Sequence, residues 1–265
     1  MSAPLWAAFQ AASDRFPAKL FWRTTYDFIA ERQPEAFTLM NYGYAQSSED
    51  DARGESLPRQ MYRYVASGAG TIDLEGKSLL EVGSGRGGGL AHVKQTLKPR
   101  TAFGVDLSPR AVALARKRHG SVPGLSFFAG DAEALPFGDG TFDAVLNVES
   151  SHCYPDIGRF YREVHRVLVP GGHFLYTDFF FAPEADEAHA AMADAGFTIV
   201  AEEDISENVL TALRLDEPRK LPLIAKMPSF LHEPFHNFAA TTRSENYQLL
   251  ESRQRRYLRF VLRRS

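Results

Sequence analysis

The chain of 265 residues has a single cysteine, no long hydrophobic run and almost no excess of either charge. Cys153 alone cannot form an internal disulfide, which is typical of a reducing compartment. No apolar stretch approaches the ~20 residues that span a bilayer, and the amino terminus lacks a basic leader followed by an apolar segment. The net charge of −3 favours neither nucleic acid nor an anionic membrane as a partner. We therefore expect a cytoplasmic protein with neither a membrane span nor a nucleic-acid partner.

Three regions of the chain differ in pattern, although its length fits a single domain. Residues 1–65 carry scattered aromatic residues in a helical mixture broken by prolines, which predicts a helical N-terminal cap. Residues 66–203 and 251–265 carry the short apolar runs of a core. Residues 204–250 are too long for a hairpin loop, and we expect them to form a helical insertion that lies over the active site as a lid.

Six apolar runs predict the strands of the core, and they begin near residues 77, 101, 125, 142, 173 and 197. Helical segments separate several of these runs, and the strand–helix–strand repeat predicts a parallel sheet. Ser108 and Pro109 have the identities of a helix N-cap and a first helical residue. In the last segment Leu258 and Phe260 alternate with Arg259, which predicts an edge strand with one face in solvent.

The run from Leu79 to Gly89 is a strand that ends in an acid and turns through glycines. Gly83 and Gly85 would let a ligand lie against bare backbone. Such a turn also occurs in dinucleotide sites, so the glycines alone do not choose the cofactor. Glu81 would repel a pyrophosphate and attract a cationic amino group. The sequence therefore favours S-adenosylmethionine (SAM), with NAD as the alternative.

Polar residues also close the next three strands of the predicted sheet. In an open α/β sheet, ligands bind beyond the carboxyl ends of the strands. Asp106, followed by Leu107, can accept hydrogen bonds from both hydroxyls of a ribose. Asp131 and the amide of Ala132 can pair with the edge of an adenine ring. Asn147 closes the fourth strand, and we expect it to complete this cofactor site.

With these motifs the chain resembles the class I SAM-dependent methyltransferases. The matching segments are EVGSGRG from residue 81, GVDLS from 104, GDAEALPFGDGTFDAVLNVES from 130 and REVHRVLVPGGHFLYTD from 162. The resemblance implies a Rossmann-like α/β fold, in which a seven-stranded sheet with its last strand antiparallel has helices on both faces. It also implies that SAM is converted to S-adenosylhomocysteine (SAH).

A closer resemblance is to bacterial O-methyltransferases that modify polyketides and related lipids, including the phthiotriolone type. The segments that carry it are MNYGYA from residue 40, LEGKSLLEVGSGRGGG from 74, NVESSHCYPD from 147 and SENYQLLESRQRRYLRFVLRR from 244. In this family a tyrosine of the NYGY segment helps to cover the cofactor. That implies the same role for Tyr42 or Tyr44 here, with packing inside the cap as the alternative.

Methyl transfer from a sulfonium requires the enzyme to hold donor and acceptor together and to exclude water, and it needs no metal. A hydroxyl acceptor must lose a proton as it attacks, and an imidazole can take that proton. His152 follows the fourth strand and is the candidate general base. Glu149 is a candidate to orient it, while Cys153 is expected to be a small buried side chain.

The segment HEPFH, residues 232–236, satisfies the pattern of zinc peptidases. Those histidines must lie one turn apart on an unbroken helix, and Pro234 argues against such a helix. We expect this segment to belong to the lid instead. There His232, Glu233 or His236 would assist His152 or bind the substrate.

The sequence thus predicts O-methylation of a small, apolar acceptor with His152 as base. Apolar residues of the cap and the insertion motivate this choice of acceptor: Phe21, Trp22, Phe28, Phe37, Leu223, Phe230, Phe235 and Phe238. Two alternatives stay open: C-methylation of a quinone, a sterol or a similar activated carbon, and a SAM-binding protein without activity. The oligomeric state is also open, with a homodimer among the alternatives.

Overall fold

The structure is a computed structural model that describes residues 39–47 and 56–265. Most of the predicted N-terminal cap therefore lies outside the described residues, including Phe21, Trp22, Phe28 and Phe37. The strands are β1 (Ser78–Val82), β2 (Thr101–Asp106), β3 (Leu125–Ala129), β4 (Phe142–Val148), β5 (Leu168–Phe181), β6 (Phe197–Asp204) and β7 (Arg255–Arg264). The helices are α1 (Leu57–Ala66), α2 (Gly88–Thr96), α3 (Pro109–His119), α4 (Ile157–Val167), α5 (Ala182–Asp194), α6 (Ser206–Ala225), α7 (His232–Phe238) and α8 (Glu245–Glu251).

The seven strands form one sheet in the order β3-β2-β1-β4-β5-β7-β6. Strands β1 to β5 pair in parallel, whereas β7 runs antiparallel to both of its neighbours, β5 and β6. The predicted fold class is therefore confirmed. Because the parallel strands share one direction, the carboxyl ends of β1, β2, β3 and β4 meet at a single edge of the sheet.

Helices cover both faces of the sheet, and alternation along β1 shows why. Leu79 belongs to the core under α1, α2 and α3, where Met61 and Leu90 pack. Its neighbour Leu80 belongs to the opposite core, where Phe160 of α4 packs. Successive side chains of a strand point to opposite faces, so a strand that is apolar at every position must be covered twice. The predicted cap of α3 is present too, since Ser108 Oγ accepts from the Ala111 amide at 3.0 Å.

The prediction of a solvated edge strand at the carboxyl terminus is wrong. β7 lies between β5 and β6, and Arg259 is only 5% exposed. Its Nε donates to Glu203 Oε2 at 3.0 Å, and its guanidinium lies over the Tyr64 ring. Long side chains can bury their stems while their charged ends find partners, so an alternating arginine pattern does not require a wet face.

The insertion is helical, as predicted. It comprises α6, a short 3-10 turn at Ser229–Leu231, α7 and α8. Its first helix supports the segment 39–47: the Ala45 amide donates to the Asn208 carbonyl at 3.3 Å, and Ala212 packs against Ala45 and Leu57. Among the described residues, no helix combines the length and the apolar character required to cross a membrane.

Replacement of Gly89 should test how tightly α1 packs on α2. A Cβ atom at Gly89 would lie 1.9 Å from the Tyr62 ring. We expect Gly89→Ala to lower the free energy of unfolding by about 1–3 kcal/mol, because the rigid ring must move. Gly138→Ala is the control, since its Cβ would make only an ordinary contact, at 3.7 Å from Thr141 Oγ1. Denaturant titration of both variants measures the difference; equal stabilities would contradict this packing.

Candidate cofactor and acceptor site

A cavity lies at the carboxyl edge of β1, β2, β3 and β4. It is lined by the residue runs 39–41, 82–86, 105–108, 130–133 and 148–150 together with Tyr62, Gly89, Ala111, Cys153 and Tyr154. The last four of these runs lie at or just after the carboxyl ends of β1, β2, β3 and β4, where the sequence predicted the cofactor site. Six predicted cofactor residues line this cavity, whereas Tyr42, Glu81 and Asn147 do not: Gly83, Gly85, Asp106, Leu107, Asp131 and Ala132. No described residue of the insertion does.

The glycine turn after β1 forms the floor of the cavity. Gly83 has a φ of +74°, and a Cβ there would lie 2.2 Å from Ser150 Oγ. Gly85 also has a positive φ, +51°, and Met40 lies above it, 3.4 Å from where a Cβ would stand. Only glycine adopts these conformations readily, so the turn brings bare backbone against the cavity.

Glu81 is completely buried at the end of β1. Neither carboxylate oxygen has a well-formed hydrogen bond, and the polar groups nearest to it are the Tyr62 hydroxyl and the Leu90 amide. Burial raises the pKa of Glu81 to about 8, the Tyr62 hydroxyl opposes this shift, and the charge of Asp106 adds to it. A buried carboxylate without a cation is costly, and an amino group is the kind of ligand that would satisfy it.

The next two acids hold the backbone of the cavity wall. Asp106 Oδ2 accepts from the Gly85 amide at 2.8 Å, and Oδ1 accepts from the Ser108 amide at 2.9 Å. Asp106 thereby fixes the glycine turn against the end of β2. Asp131 Oδ1 accepts from the Glu133 amide at 2.9 Å, which forms a tight turn after β3. Both side chains border the cavity, as adenosine recognition would require.

Asn147 lies behind the cavity wall rather than in its lining. Its fully buried Nδ2 donates to the Val82 carbonyl at 3.0 Å, to Ser150 Oγ at 2.8 Å and to Tyr154 Oη at 3.2 Å. Since Ser150 and Tyr154 line the cavity, the amide holds the wall in place.

The segment 39–44 covers the cavity, but not with the ring of the predicted tyrosine. Leu39, Met40 and Asn41 are the lining residues. The Tyr42 amide donates to Glu149 Oε1 at 2.7 Å, and the Tyr42 ring stacks on Phe179 with centroids 6.0 Å apart. Tyr44 stacks on Tyr64 at 4.0 Å and belongs to the core. Tyr42 thus anchors the covering segment from outside the cavity.

His152 forms a carboxylate–imidazole pair with Asp178 of β5. Its Nδ1 lies 2.9 Å from Asp178 Oδ1, and its ring stacks on Phe179 with centroids 4.4 Å apart. Asp178 is fully buried, and its Oδ2 accepts from the Ser151 hydroxyl and the His152 amide. Burial opposes protonation of the ring, but Cys153 and the Asp178 carboxylate outweigh it and raise the pKa of His152 well above its usual value.

The hypothesis that Glu149 orients His152 is wrong. Glu149 Oε1 accepts from the Tyr42 amide and from the Tyr257 hydroxyl, and Asp178 contacts the imidazole instead. Burial raises the pKa of Glu149 to about 7, although the hydrogen bond from Tyr257 lowers it. Glu149 also has a positive φ, +48°, a strained conformation for a residue with a side chain. It borders the cavity, so it links the cavity to the aromatic cluster of Tyr42, His152, Phe179 and Tyr257.

His152 itself is not a lining residue of the cavity, although Ser150 and Cys153 on either side of it are. The imidazole therefore lies beyond the end of β4, beside the cavity and against Phe179. Cys153 is half-buried and contributes to the lining, whereas the sequence predicted a buried packing residue.

The HEPFH segment does form a helix, α7, contrary to the expectation from Pro234. Pro234 lies in the first turn, where backbone N–H groups have no acceptor within the helix, so its missing N–H costs no hydrogen bond. The polar side chains nevertheless point to separate partners. His232 Nε2 contacts the Met227 carbonyl, His236 Nδ1 contacts Thr241 Oγ1, and Glu233 pairs with Arg243. None of them contacts His152, and the described residues contain no cluster of side chains able to hold a metal ion.

Sequence reasoning missed Asp178, Phe179, Tyr62 and the covering residues 39–41. Asp178 carried the same signal as Asp106, because it too is an acid near the end of an apolar strand. However, Asp178 stands inside the run HFLYTDFFF, and the apolar residues that follow it make it look like an interior position of the strand. Tyr62 gave no signal, since its position depends on how α1 packs against α2.

Comparisons with known proteins show which family the chain belongs to. The family model described as "Methyltransferase domain" matches residues 80–176. A phthiotriol/phenolphthiotriol dimycocerosates methyltransferase of Mycobacterium tuberculosis is 38% identical over 247 residues, covering 90% of each chain. A fatty-acid O-methyltransferase of Mycolicibacterium smegmatis is 42% identical over 181 residues, covering 66% of this chain and 65% of the relative.

A similar solved structure is the geranyl diphosphate C-methyltransferase of Streptomyces coelicolor in complex with S-adenosyl-L-homocysteine. Its TM-score is 0.71 with 16% identity, and the match covers 94% of this chain and 99% of that chain. At this identity the likeness shows the fold. The extended sequence identity to the mycobacterial enzymes shows the family, and the chain belongs to the SAM-dependent methyltransferases.

Proposed function

We propose that this methyltransferase transfers the methyl group of SAM to a hydroxyl oxygen of an apolar, lipid-like acceptor, with His152 as general base. The observation that carries the proposal is the His152–Asp178 pair beside the cavity. The relatives support the acceptor class, because one is named for dimycocerosates and another for fatty acids. The second name also includes O-methylation.

The residues that line the cavity, together with the buried Glu81 beside Val82, fit SAM. Glu81 would hold the amino group, since its buried oxygens have no well-formed hydrogen bond. The turn at Gly83 and Gly85 would lie against the amino acid part, Asp106 would accept from the ribose hydroxyls, and Asp131 with Ala132 would bind the adenine edge. When bound, SAM supplies an electrophilic methyl carbon. Met40, above Gly85, would exclude water from this ligand.

On the acceptor side, Asp178 positions the base. Its Oδ1 lies 2.9 Å from Nδ1, so the neutral imidazole carries its proton there and its lone pair on Nε2. Nε2 then accepts the hydroxyl proton of the acceptor as the oxygen attacks. Burial alone would raise the pKa of Asp178, but His152 and the hydrogen bonds to the carboxylate lower it. The carboxylate therefore remains ionised and stabilises the imidazolium that forms.

The affinity for SAM should depend on the ionisation of Glu81. The pKa of about 8 means that Glu81 is protonated in the ligand-free protein at pH 6 and becomes ionised as the pH rises through 8. A cationic amino group binds the ionised form, so we expect affinity to increase from pH 6 to pH 8 with release of a proton. Calorimetry in buffers of different ionisation enthalpy measures both the affinity for SAM and the number of protons released.

Glu81→Gln keeps the shape and removes the charge. We expect it to weaken SAM binding about tenfold to a hundredfold and to abolish the pH dependence. Glu75→Gln, at an exposed residue before β1, is the matched control and should leave both unchanged. An affinity that is independent of pH in the unmodified protein would contradict this role of Glu81.

The product should carry its new methyl group on oxygen. We expect SAM with an isotopically labelled methyl group, incubated with a lipid extract of the producing cells, to yield a methoxy carbon that NMR and mass spectrometry identify. His152→Ala should slow its formation by about 10²–10⁴-fold, because the hydroxyl proton loses its acceptor. SAM affinity should remain, since the His152 ring contacts Asp178 and Phe179, neither of which is proposed to bind SAM.

His189→Ala provides the matched control, because His189 pairs with Glu202 at the surface, away from the cavity. It should leave turnover unchanged. Label on carbon would support C-methylation instead, and an unchanged rate in His152→Ala would contradict general base catalysis.

The pH profile should separate a positioning role of Asp178 from a merely structural one. The neutral imidazole is the active form, so kcat/KM should rise with pH through the raised pKa of His152. Cys153 and Asp178 both raise this pKa, and Asp178→Asn removes the contribution of Asp178. We expect the rising limb to move to lower pH by about one to three units, with a lower plateau because the base is weaker. Asp194→Asn, at the exposed end of α5, should leave the profile in place; an unmoved limb in Asp178→Asn would contradict the role.

A further inference from the structure

Arg255, the first residue of β7, lies at the same edge of the sheet as the cofactor cavity. It pairs with Phe181 at the end of β5, because β7 runs antiparallel to β5. Its guanidinium lies over two rings, 4.5 Å from the centroid of Phe179 and 4.5 Å from that of Phe181. Phe179 is the ring on which His152 stacks. Arg255 is thus a neighbour of the aromatic cluster.

The charge of Arg255 has no carboxylate partner within the described residues. Nη1 donates to the amide oxygen of Asn246 at 3.0 Å, and the buried Nε has no hydrogen-bond partner. Other arginines of the same region are paired: Arg253 and Arg256 bind Asp204, and Arg259 binds Glu203. Arg255 differs from them in facing the aromatic cluster.

The described acids that act electrostatically on Arg255 are Glu184, Asp178 and Glu245, and none of them forms an ion pair with it. Glu245 lies exposed at the start of α8. Asp178 is shared by the His152 ring and the Ser151 hydroxyl. Glu184 accepts from the Phe181 amide at the start of α5. Burial lowers the pKa of Arg255, yet a guanidinium remains charged in any protein environment. A partly buried cation that stacks on two rings and keeps an unsatisfied donor has the chemistry of an anion-binding group.

We propose that Arg255 binds a carboxylate of the acceptor, so that the acceptor is a lipid acid and not a neutral lipid alcohol. The proposal rests on the proposed function in taking the aromatic cluster as the acceptor side. The His152 ring centroid lies 4.4 Å and the Arg255 Cζ 4.5 Å from the Phe179 centroid, so the two groups are at most 8.9 Å apart. The carboxylate and the reacting hydroxyl therefore belong to the same end of the acceptor.

Calorimetry on the SAH-loaded protein tests this assignment, with myristate and myristyl alcohol as probes of equal chain length. We expect the unmodified protein to bind myristate about tenfold or more tightly than the alcohol, since a charge-assisted pair forms only with the acid. Arg255→Met should abolish this preference. Arg256→Met, which removes an exposed arginine that pairs with Asp204, should retain it.

SAH affinity, measured on the same samples, shows whether each variant keeps its fold. Equal affinity of the unmodified protein for the two probes would overturn the proposal without the need for any variant. So would a preference for myristate that survives in Arg255→Met. A protein that binds myristate through Arg255 but places its methyl group on carbon would contradict O-methylation alone, so the two proposals fail separately.

Discussion

The site depends on one buried carboxylate at the end of β1. Glu81 is completely enclosed and lacks a well-formed hydrogen bond, so its ionised form is costly until a cation arrives. Glu81 lies at the carboxyl edge of the sheet because the parallel strands all end on the same side. Asp106 at the next strand end holds in place the glycine turn that follows Glu81.

Two further carboxylates, the fully buried Asp178 and the half-buried Glu149, differ in their ionisation and in their contacts. Asp178 is held in its ionised form by His152 and by hydrogen bonds, so it acts as a fixed negative charge. Glu149 is less acidic, with a pKa raised to about 7, and it ties Tyr42 of the covering segment to Tyr257 of β7. Under the proposed function, the residue that holds the covering segment and the general base thus follow β4 within a few residues of each other.

The sequence predicted what is local along the chain and missed what depends on distant contacts. Gly83, Asp106 and Asp131 were found because each follows an apolar strand directly, and parallel pairing then brings them together. The internal position of β7 was missed because the alternation of Arg259 with apolar residues says nothing about which strands pair with it. Asp178 was assigned no role, since its partner His152 lies 26 residues earlier in the chain.

A crystal structure with bound SAH would locate both ends of the ligand at once. We expect the amino group within hydrogen-bond distance of Glu81, the ribose on Asp106, and the sulfur directed toward the side of the cavity where His152 stacks on Phe179. An amino group bound elsewhere with Glu81 still without a partner, or a sulfur directed away from His152, would contradict it.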